Sequence, residues 1–262
     1  MRRCAALLLI FVSAFSFSYA EETETKTEIE TKTEIETKTE TETETKAESE
    51  ESEVETFVLN DKMFFVTAGP MLMVNTDDET KSAPSPVMFS LGFGYDFFQT
   101  QKVFGEVRGC FFTNYYLWDG ENAQPAEVEN RTATALSFMI DMTCGHIWTR
   151  GLNQFALSGG FGFLVRIGLL SSGVDSDDVG GEFDGESYST AGDDVSSINS
   201  WFYSKANFLH PEISFSYMRS IPSYLGKCMV GCEFRTYFSL GSAIRGDFAD
   251  GMIFDLALKV QF

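Results

Sequence analysis

The sequence predicts an all-β fold, an eight-stranded antiparallel barrel of the transmembrane kind. A signal peptide and a disordered acidic repeat precede it. Three observations carry the prediction. From Met63 onward, apolar side chains recur at every second position in eight separate runs. Charged residues within those runs fall on the opposite parity. The connections between runs alternate between long and short.

Met1-Arg2-Arg3 is a basic start, Ala5 to Phe17 is mostly apolar, and Ser18-Tyr19-Ala20 ends in a small residue before Glu21-Glu22. This is the layout of a secretory signal peptide covering residues 1–20, cut after Ala20. No later stretch has eighteen unbroken apolar residues, so no helical span is expected. Residues 21–56 repeat a Thr-Lys-Thr-Glu-Ile-Glu unit and hold fifteen Glu and four Lys. With Ile29, Ile35 and Val54 nearly alone as apolar candidates, the segment cannot offset the entropy of ordering itself, and dense Thr disfavours a helix. It reads as a disordered linker, either a plain spacer or a docking tail. Residues 57–262 form the barrel domain.

The eight runs lie at 63–74, 87–98, 103–117, 134–148, 155–170, 201–219, 227–240 and 252–262. In the second, Val87, Phe89, Leu91, Phe93, Tyr95 and Phe97 alternate with Met88, Ser90, Gly92, Gly94, Asp96 and Phe98. Successive strand residues point to opposite faces, so such alternation is a strand signal. Asp96, Glu106, Arg108, Asp141, Arg166, Glu212, Glu233, Arg235, Asp255 and Lys259 all take the parity opposite the large apolar residues. The rest of that polar face reads as mainly Gly, Ser, Thr and Ala. A water-soluble exterior would carry many more Lys and Glu, so the polar face suits a narrow lumen and the apolar face suits lipid. Pro70 is the worst local fit, since it forfeits one ladder hydrogen bond.

The connections at 75–86, 118–133, 171–200 and 241–251 are long, and those at 99–102, 149–154 and 220–226 are short. A spanning barrel has short turns at one end and longer loops at the other. Tyr115, Tyr116, Trp118, Trp201 and Tyr203 are placed at the outer boundary. Trp148, Phe155, Tyr217, Tyr224 and Phe262 are placed at the inner one, where amphipathic rings favour the headgroup zone.

The last strand, Phe254-Asp255-Leu256-Ala257-Leu258-Lys259-Val260-Gln261-Phe262, ends the chain on an aromatic residue. With this strand the chain, over residues 63–262, resembles the small eight-stranded outer-membrane barrels of the OmpA, OmpX and OmpW type. The resemblance implies a bacterial outer-membrane location, a linker in the periplasm, and an assembly signal at Phe254, Leu256, Leu258, Val260 and Phe262 read by the barrel-assembly machinery. The Thr-Glu-Lys repeat is a departure from that family, as is the lack of a C-terminal wall-binding domain.

An eight-stranded lumen is only wide enough for side chains to fill. Arg108, Asp141, Glu212, Glu233, Arg235 and Asp255 fall in one layer near mid-barrel, with Asp96, Glu106 and Lys259 below. They are expected to pair, because an unpaired buried charge is costly. The two readings of this layer are a structural plug and a conduction path. The four long loops carry a strong acidic excess, within a formal net charge of −20. That repels nucleic acid and suits a basic host or cell-envelope partner. In the third loop, Asp175, Asp177 and Glu186 take EF-hand-like positions, but Val179 occupies a ligand position, so calcium is a weak candidate against a mobile solvated loop without flanking helices.

The barrel segment has four cysteines. Cys228 and Cys232 lie roughly 13 Å apart along one strand, too far to bridge, so free thiols are expected. Asn130-Arg131-Thr132 matches a glycosylation sequon, which means little in a bacterial envelope. With only His146 and His210 in the chain, no catalytic constellation, metal site or cofactor is assigned. Two functions remain: a surface-exposed structural or interaction protein acting through acidic loops, as OmpX-like barrels imply, or a narrow pore for small or hydrophobic solutes, as OmpW-like barrels imply.

Overall fold

The computed structural model describes residues 64–76, 82–83, 85–180, 189–223 and 226–262. The signal peptide, the repeat, Glu186 and Tyr224 lie outside the described residues. Among the described residues nine strands are present: β1 (Phe64–Met73), β2 (Val87–Gln99), β3 (Val103–Trp118), β4 (Ala123–Pro125), β5 (Ala133–Arg150), β6 (Asn153–Leu170), β7 (Leu209–Ser223), β8 (Gly226–Tyr237) and β9 (Ile253–Gln261). Every strand but β4 pairs antiparallel with two neighbours. β2 meets β3 and β9 returns to β1, so eight strands close a barrel with no unpaired strand. Short β4 only extends the outer end of β3. Among the described residues two helices lie within the long connections: α1 (Ala191–Phe202) between β6 and β7, and α2 (Leu240–Arg245) between β8 and β9.

The apolar parity faces outward. Phe89, Phe93, Met142, Ile167, Leu256 and Leu258 are each more than half exposed, and Phe161, Val165, Phe215 and Phe234 are each at least two-fifths exposed. A belt of this kind, at about 25 cal/mol for each Å² hidden from water, is consistent only with a lipid surround. All ten charged strand residues named above are buried inside, none above 6% exposed. The fold is a transmembrane-type barrel. β5 and β6, eighteen residues each, exceed the nine to eleven that a tilted strand needs to cross, and so rise beyond the belt at the long-loop end.

Two local rules are modified. At Pro70 the strand register continues, but the Gly69 and Pro70 pairs drop out of the β1–β9 ladder. The backbone of Leu256 approaches so closely there that a Cβ on residue 69 would lie 2.0 Å from its carbonyl oxygen, a contact only glycine permits. In β2 the register to β3 shifts between Asp96 and Phe98. This bulge turns both Phe97 and Phe98 outward, where their rings meet edge-on at 5.1 Å, whereas alternation puts Phe98 inside.

The sequence-based strand 201–219 needs correction. Its first part is the end of α1 and a turn, with Lys205 and Ala206 in the left-handed region at φ 45° and 61°, and pairing begins at Leu209. The third long connection is likewise no open solvated loop, because α1 packs over the barrel mouth. Thr190 caps α1 by accepting from the Asp193 amide, and Ile198 and Phe202 are fully buried against Tyr116, Ala133 and Ala135. Apolar positions 191, 195, 198 and 202 give the face its helical spacing. The strand assigned to 227–240 also ends earlier, at Tyr237, because Ser239 starts α2.

Above its pairing with β7, β6 has a free edge, and side chains satisfy it. The Asn199 carboxamide accepts from the Gly168 amide at 2.8 Å and donates to its carbonyl at 2.9 Å. The Tyr203 hydroxyl accepts from the Arg166 amide and donates to the Arg166 carbonyl at 2.6 Å. Two side chains thus do the work of a neighbouring strand.

Candidate functional site: the barrel interior and its external mouth

The interior is layered. Its middle is an ion-paired network built across the lumen. Around the ring, β3 stands opposite β8 and β5 opposite β9. Arg108 of β3 donates from Nε to Asp141 Oδ2 of β5 at 2.9 Å and from Nη2 to Asp255 Oδ2 of β9 at 3.0 Å, so one guanidinium links opposite walls. Arg235 of β8 bonds Glu233 beside it, Glu106 on the opposite strand, and Glu212 at 3.4 Å. Lys259 joins Glu106 and Glu233 and lies 3.9 Å from the Phe65 ring centre. Glu106 and Lys259 therefore belong to the same network as the middle layer rather than to a separate level below it. Asp96 stands below, toward the short-turn end, and accepts from Gln261 at 2.6 Å.

Two participants escaped the charge-parity argument because they are neutral. Tyr237 donates to Asp141 Oδ2 at 2.9 Å and accepts from Arg108 Nη2 at 2.5 Å. Ser90 donates to Asp255 Oδ1 at 3.0 Å. A tyrosine at the inward parity of a strand bearing Glu233 and Arg235 was a usable signal.

Above the charges the lumen is apolar. Met71, Met73, Met88, Cys110, Phe112, Met139, Leu164 and Ile253 pack together with the Tyr237 ring. Among the many inward Gly, Ser, Thr and Ala residues, the inner face thus also carries a layer of larger apolar side chains. Methionine, flexible and unbranched, fills the irregular taper.

Above this layer a cavity of about 380 Å³ opens at the mouth, lined among others by Tyr116, Arg166, Trp201, Asn207, His210 and Arg245. Arg166 is separated from the other nine charged residues. It donates to the Tyr116 hydroxyl at 3.3 Å and the Asn207 carbonyl at 3.0 Å, and its guanidinium carbon stands 4.1 Å from the Phe202 ring centre. Among the described residues it has no carboxylate within salt-bridge distance, and its Nε has no acceptor. His210, 3% exposed, also has an unpartnered Nδ1. Arg245 donates to Asn207 Oδ1 at 2.7 Å and Ser242 Oγ at 2.8 Å, with Asp250 at 3.5 Å. Burial raises the Asp250 carboxyl above its ordinary range. The hydrogen bond from Thr76 holds Asp247 below it.

The other sequence-based sites are placed as follows. Asp175 and Asp177 are exposed in a turn, Glu186 lies outside the described residues, and no three metal-ligating side chains converge among the described residues. Cys110, Cys144, Cys228 and Cys232 are free thiols. His146 sits on the outward parity with its ring edge-on to Trp148 at 4.6 Å. Of the outer aromatic set, Tyr116 is buried inside the mouth, and Trp201 and Tyr203 belong to α1 and the turn after it. At the inner boundary Trp148, Phe155 and Phe262 are exposed, and Tyr217 meets Phe155 at 5.1 Å. Phe254, Leu256, Leu258, Val260 and Phe262 lie on the outward parity of the closing strand, and the Phe262 amide donates to the Phe64 carbonyl.

No family model and no curated protein matches the chain. Among solved structures it is similar to Ail, the attachment invasion locus protein of Yersinia pestis, in complex with the heparin analogue sucrose octasulfate (10% identity, 76% of this chain and 97% of that one, TM-score 0.36). It is similar also to the outer membrane protein OprG from Pseudomonas aeruginosa (12%, 77% and 96%, TM-score 0.38). A third is the outer membrane enzyme PagL (13%, 76% and 98%, TM-score 0.34).

Proposed function

We propose that the chain is a non-catalytic outer-membrane barrel that acts at the cell surface through its external end, with its N-terminal linker in the periplasm. The observation that carries this reading is the ion-paired layer joining opposite walls: Arg235 to Glu106, and Arg108 to both Asp141 and Asp255. A filled cross-section capped by an apolar methionine layer supports a plug over a conduction path or a narrow pore for hydrophobic solutes. What the molecule then offers outside is its loops. Asp175, Asp177, Asp178 and Asp193 are exposed there and suit a basic host or cell-envelope partner. Asp194 is withdrawn from that surface, being buried against Ser189. The outward apolar parity of β9, ending at Phe262, supports recognition by the barrel-assembly machinery.

The test is made on the mature chain, refolded and confirmed by heat-modifiable migration on a gel. In planar bilayers we expect no stable openings; large, lasting conductance steps would overturn the plug. In parallel, protease applied to intact cells is expected to cut the third long connection. Full resistance in intact cells combined with cleavage after outer-membrane permeabilisation would overturn the surface role.

A further inference from the structure

The mouth cavity contains a buried guanidinium that has no carboxylate within salt-bridge distance among the described residues. Each of the other two lumen arginines sits among carboxylates, Arg108 with Asp141 and Asp255, Arg235 with Glu106, Glu212 and Glu233. Among the described residues Arg166, 5% exposed, meets only a hydroxyl, a carbonyl and aromatic faces. Arginine cannot shed its charge, and it has five N–H donors in a fixed fork. Two are used here, and Nε, one of those left over, has no acceptor. A buried guanidinium with donors to spare is a site for an oxyanion.

The rest of the cavity wall fits such a guest. The guanidiniums of Arg166 and Arg245 both approach the Trp201 ring, at 5.6 and 5.4 Å from its centre. His210 presents a second buried, unpartnered nitrogen. The two acids in the wall are already engaged: Asp247 accepts from Thr76 at 2.5 Å and from two backbone amides, and Asp250 accepts from Ser242 and pairs with Arg245. Set against the two cations Arg166 and Arg245, these acids disfavour a doubly charged guest, while the one guanidinium that lacks a carboxylate partner suits a monoanion. Benzene fills an engineered apolar cavity of about 150 Å³, so 380 Å³ holds a compact organic molecule with room for more than its acid group.

We propose that the cavity between α1, the Asn207 turn and α2 binds a small organic monocarboxylate, its carboxylate held by the Arg166 guanidinium with Trp201 alongside. This goes beyond the surface role proposed above and does not depend on it, since it is read on the purified barrel. The occupied state stabilises the packing of α1 on the mouth, because the ligand bridges the β6 wall and the helix.

The experiment titrates detergent-refolded mature chain with sodium propionate, with sodium chloride at matched ionic strength as the control. Binding is followed calorimetrically and by Trp201 fluorescence, with Trp118 and Trp148 replaced by Phe. Saturable binding near or below about 1 mM, absent with chloride, is expected. In Arg166→Gln it should weaken at least about ten-fold, and in Arg166→Lys by less. Inorganic phosphate should compete poorly. Absence of saturable binding to the unaltered chain would overturn the proposal whether or not the variants fold. So would binding unchanged in a folded Arg166→Gln, or phosphate binding tighter than propionate.

Discussion

Replacing Arg108 by methionine tests whether the ion-paired layer holds the barrel together. The side chain is fully buried and donates to Asp141 at 2.9 Å and Asp255 at 3.0 Å, each carboxylate 1% exposed, and to Tyr237 at 2.5 Å. Methionine keeps an unbranched stem as far as the Nε position and removes the guanidinium, which leaves Asp255 without its cation and Asp141 with Arg235 alone at 3.9 Å. Removing one partner of a buried pair costs about 3–5 kcal/mol, because the remaining charge keeps its desolvation penalty. The same reasoning sets the control. In Arg108→Met/Asp141→Asn/Asp255→Asn the stranded charges are gone, while the carboxamide that replaces the Asp141 carboxylate can still accept from Tyr237. Exchange of a whole buried ion cluster for neutral groups is often close to neutral, so the triple variant should recover at least half of the loss. Urea unfolding in lipid vesicles, followed by intrinsic fluorescence and by heat-modifiable migration, measures both. A single-variant loss below about 1 kcal/mol, or a triple variant no better than the single, would refute the account of the lumen as an interlocked network.

Further outcomes follow from the mouth and its helices. Asn199→Leu removes both bonds to the Gly168 backbone, and that edge should exchange amide hydrogen about ten- to a hundred-fold faster, read by mass spectrometry across residues 164–170. Gly246→Ala places a Cβ at φ 99° where α2 ends, and should cost about 1 kcal/mol in the same unfolding assay. Asp250 has a folded-state carboxyl raised by burial, so its protonated form is the better accommodated one. Its contribution therefore becomes more favourable as pH falls through that raised value. Protection of the α2 amides should rise on mild acidification, and Asp250→Asn should flatten that rise. Asp247 acts in the opposite sense: its carboxyl is lowered, so its support is present above the ordinary carboxylate range and lost in stronger acid. Asp247→Asn should leave the mild-acid rise intact.

Most of the barrel was legible because one physical rule, alternation of faces, reports on every strand at once. It located the eight barrel strands to within a few residues apart from the start of β7, and it set the outward face. It failed where a residue breaks the period. The bulge after Asp96 turned Phe98 outward, which no reading of parity alone can foresee. It also failed where a different period begins. In 191–202 the spacing of Ala191, Val195, Ile198 and Phe202, behind a Thr190-x-x-Asp193 start, is a helix signal, but it lies in a Gly-, Ser- and Asp-rich stretch whose composition suggests an open loop. Tertiary packing on Tyr116 supplies the stability that weak local propensity lacks.

Parity alone also cannot separate the three buried arginines. Arg108, Arg166 and Arg235 share the inward face, yet height along the barrel decides what each meets. At mid-barrel, carboxylates from β3, β5, β7, β8 and β9 converge, and two arginines find acidic partners on several strands at once. At the mouth, β6 outruns β7, the wall there is completed by α1, and the helix turns Ile198 and Phe202 inward rather than an acid. Arg166 thus faces aromatic rings and a carbonyl because a helix stands where a strand would have carried alternating polar residues. The same substitution of helix for strand leaves the cavity open beside it. The guanidinium without a carboxylate partner among the described residues and the space next to it therefore have one structural cause, and a variant that lengthens the β6–β7 ladder at the expense of α1 should remove both together.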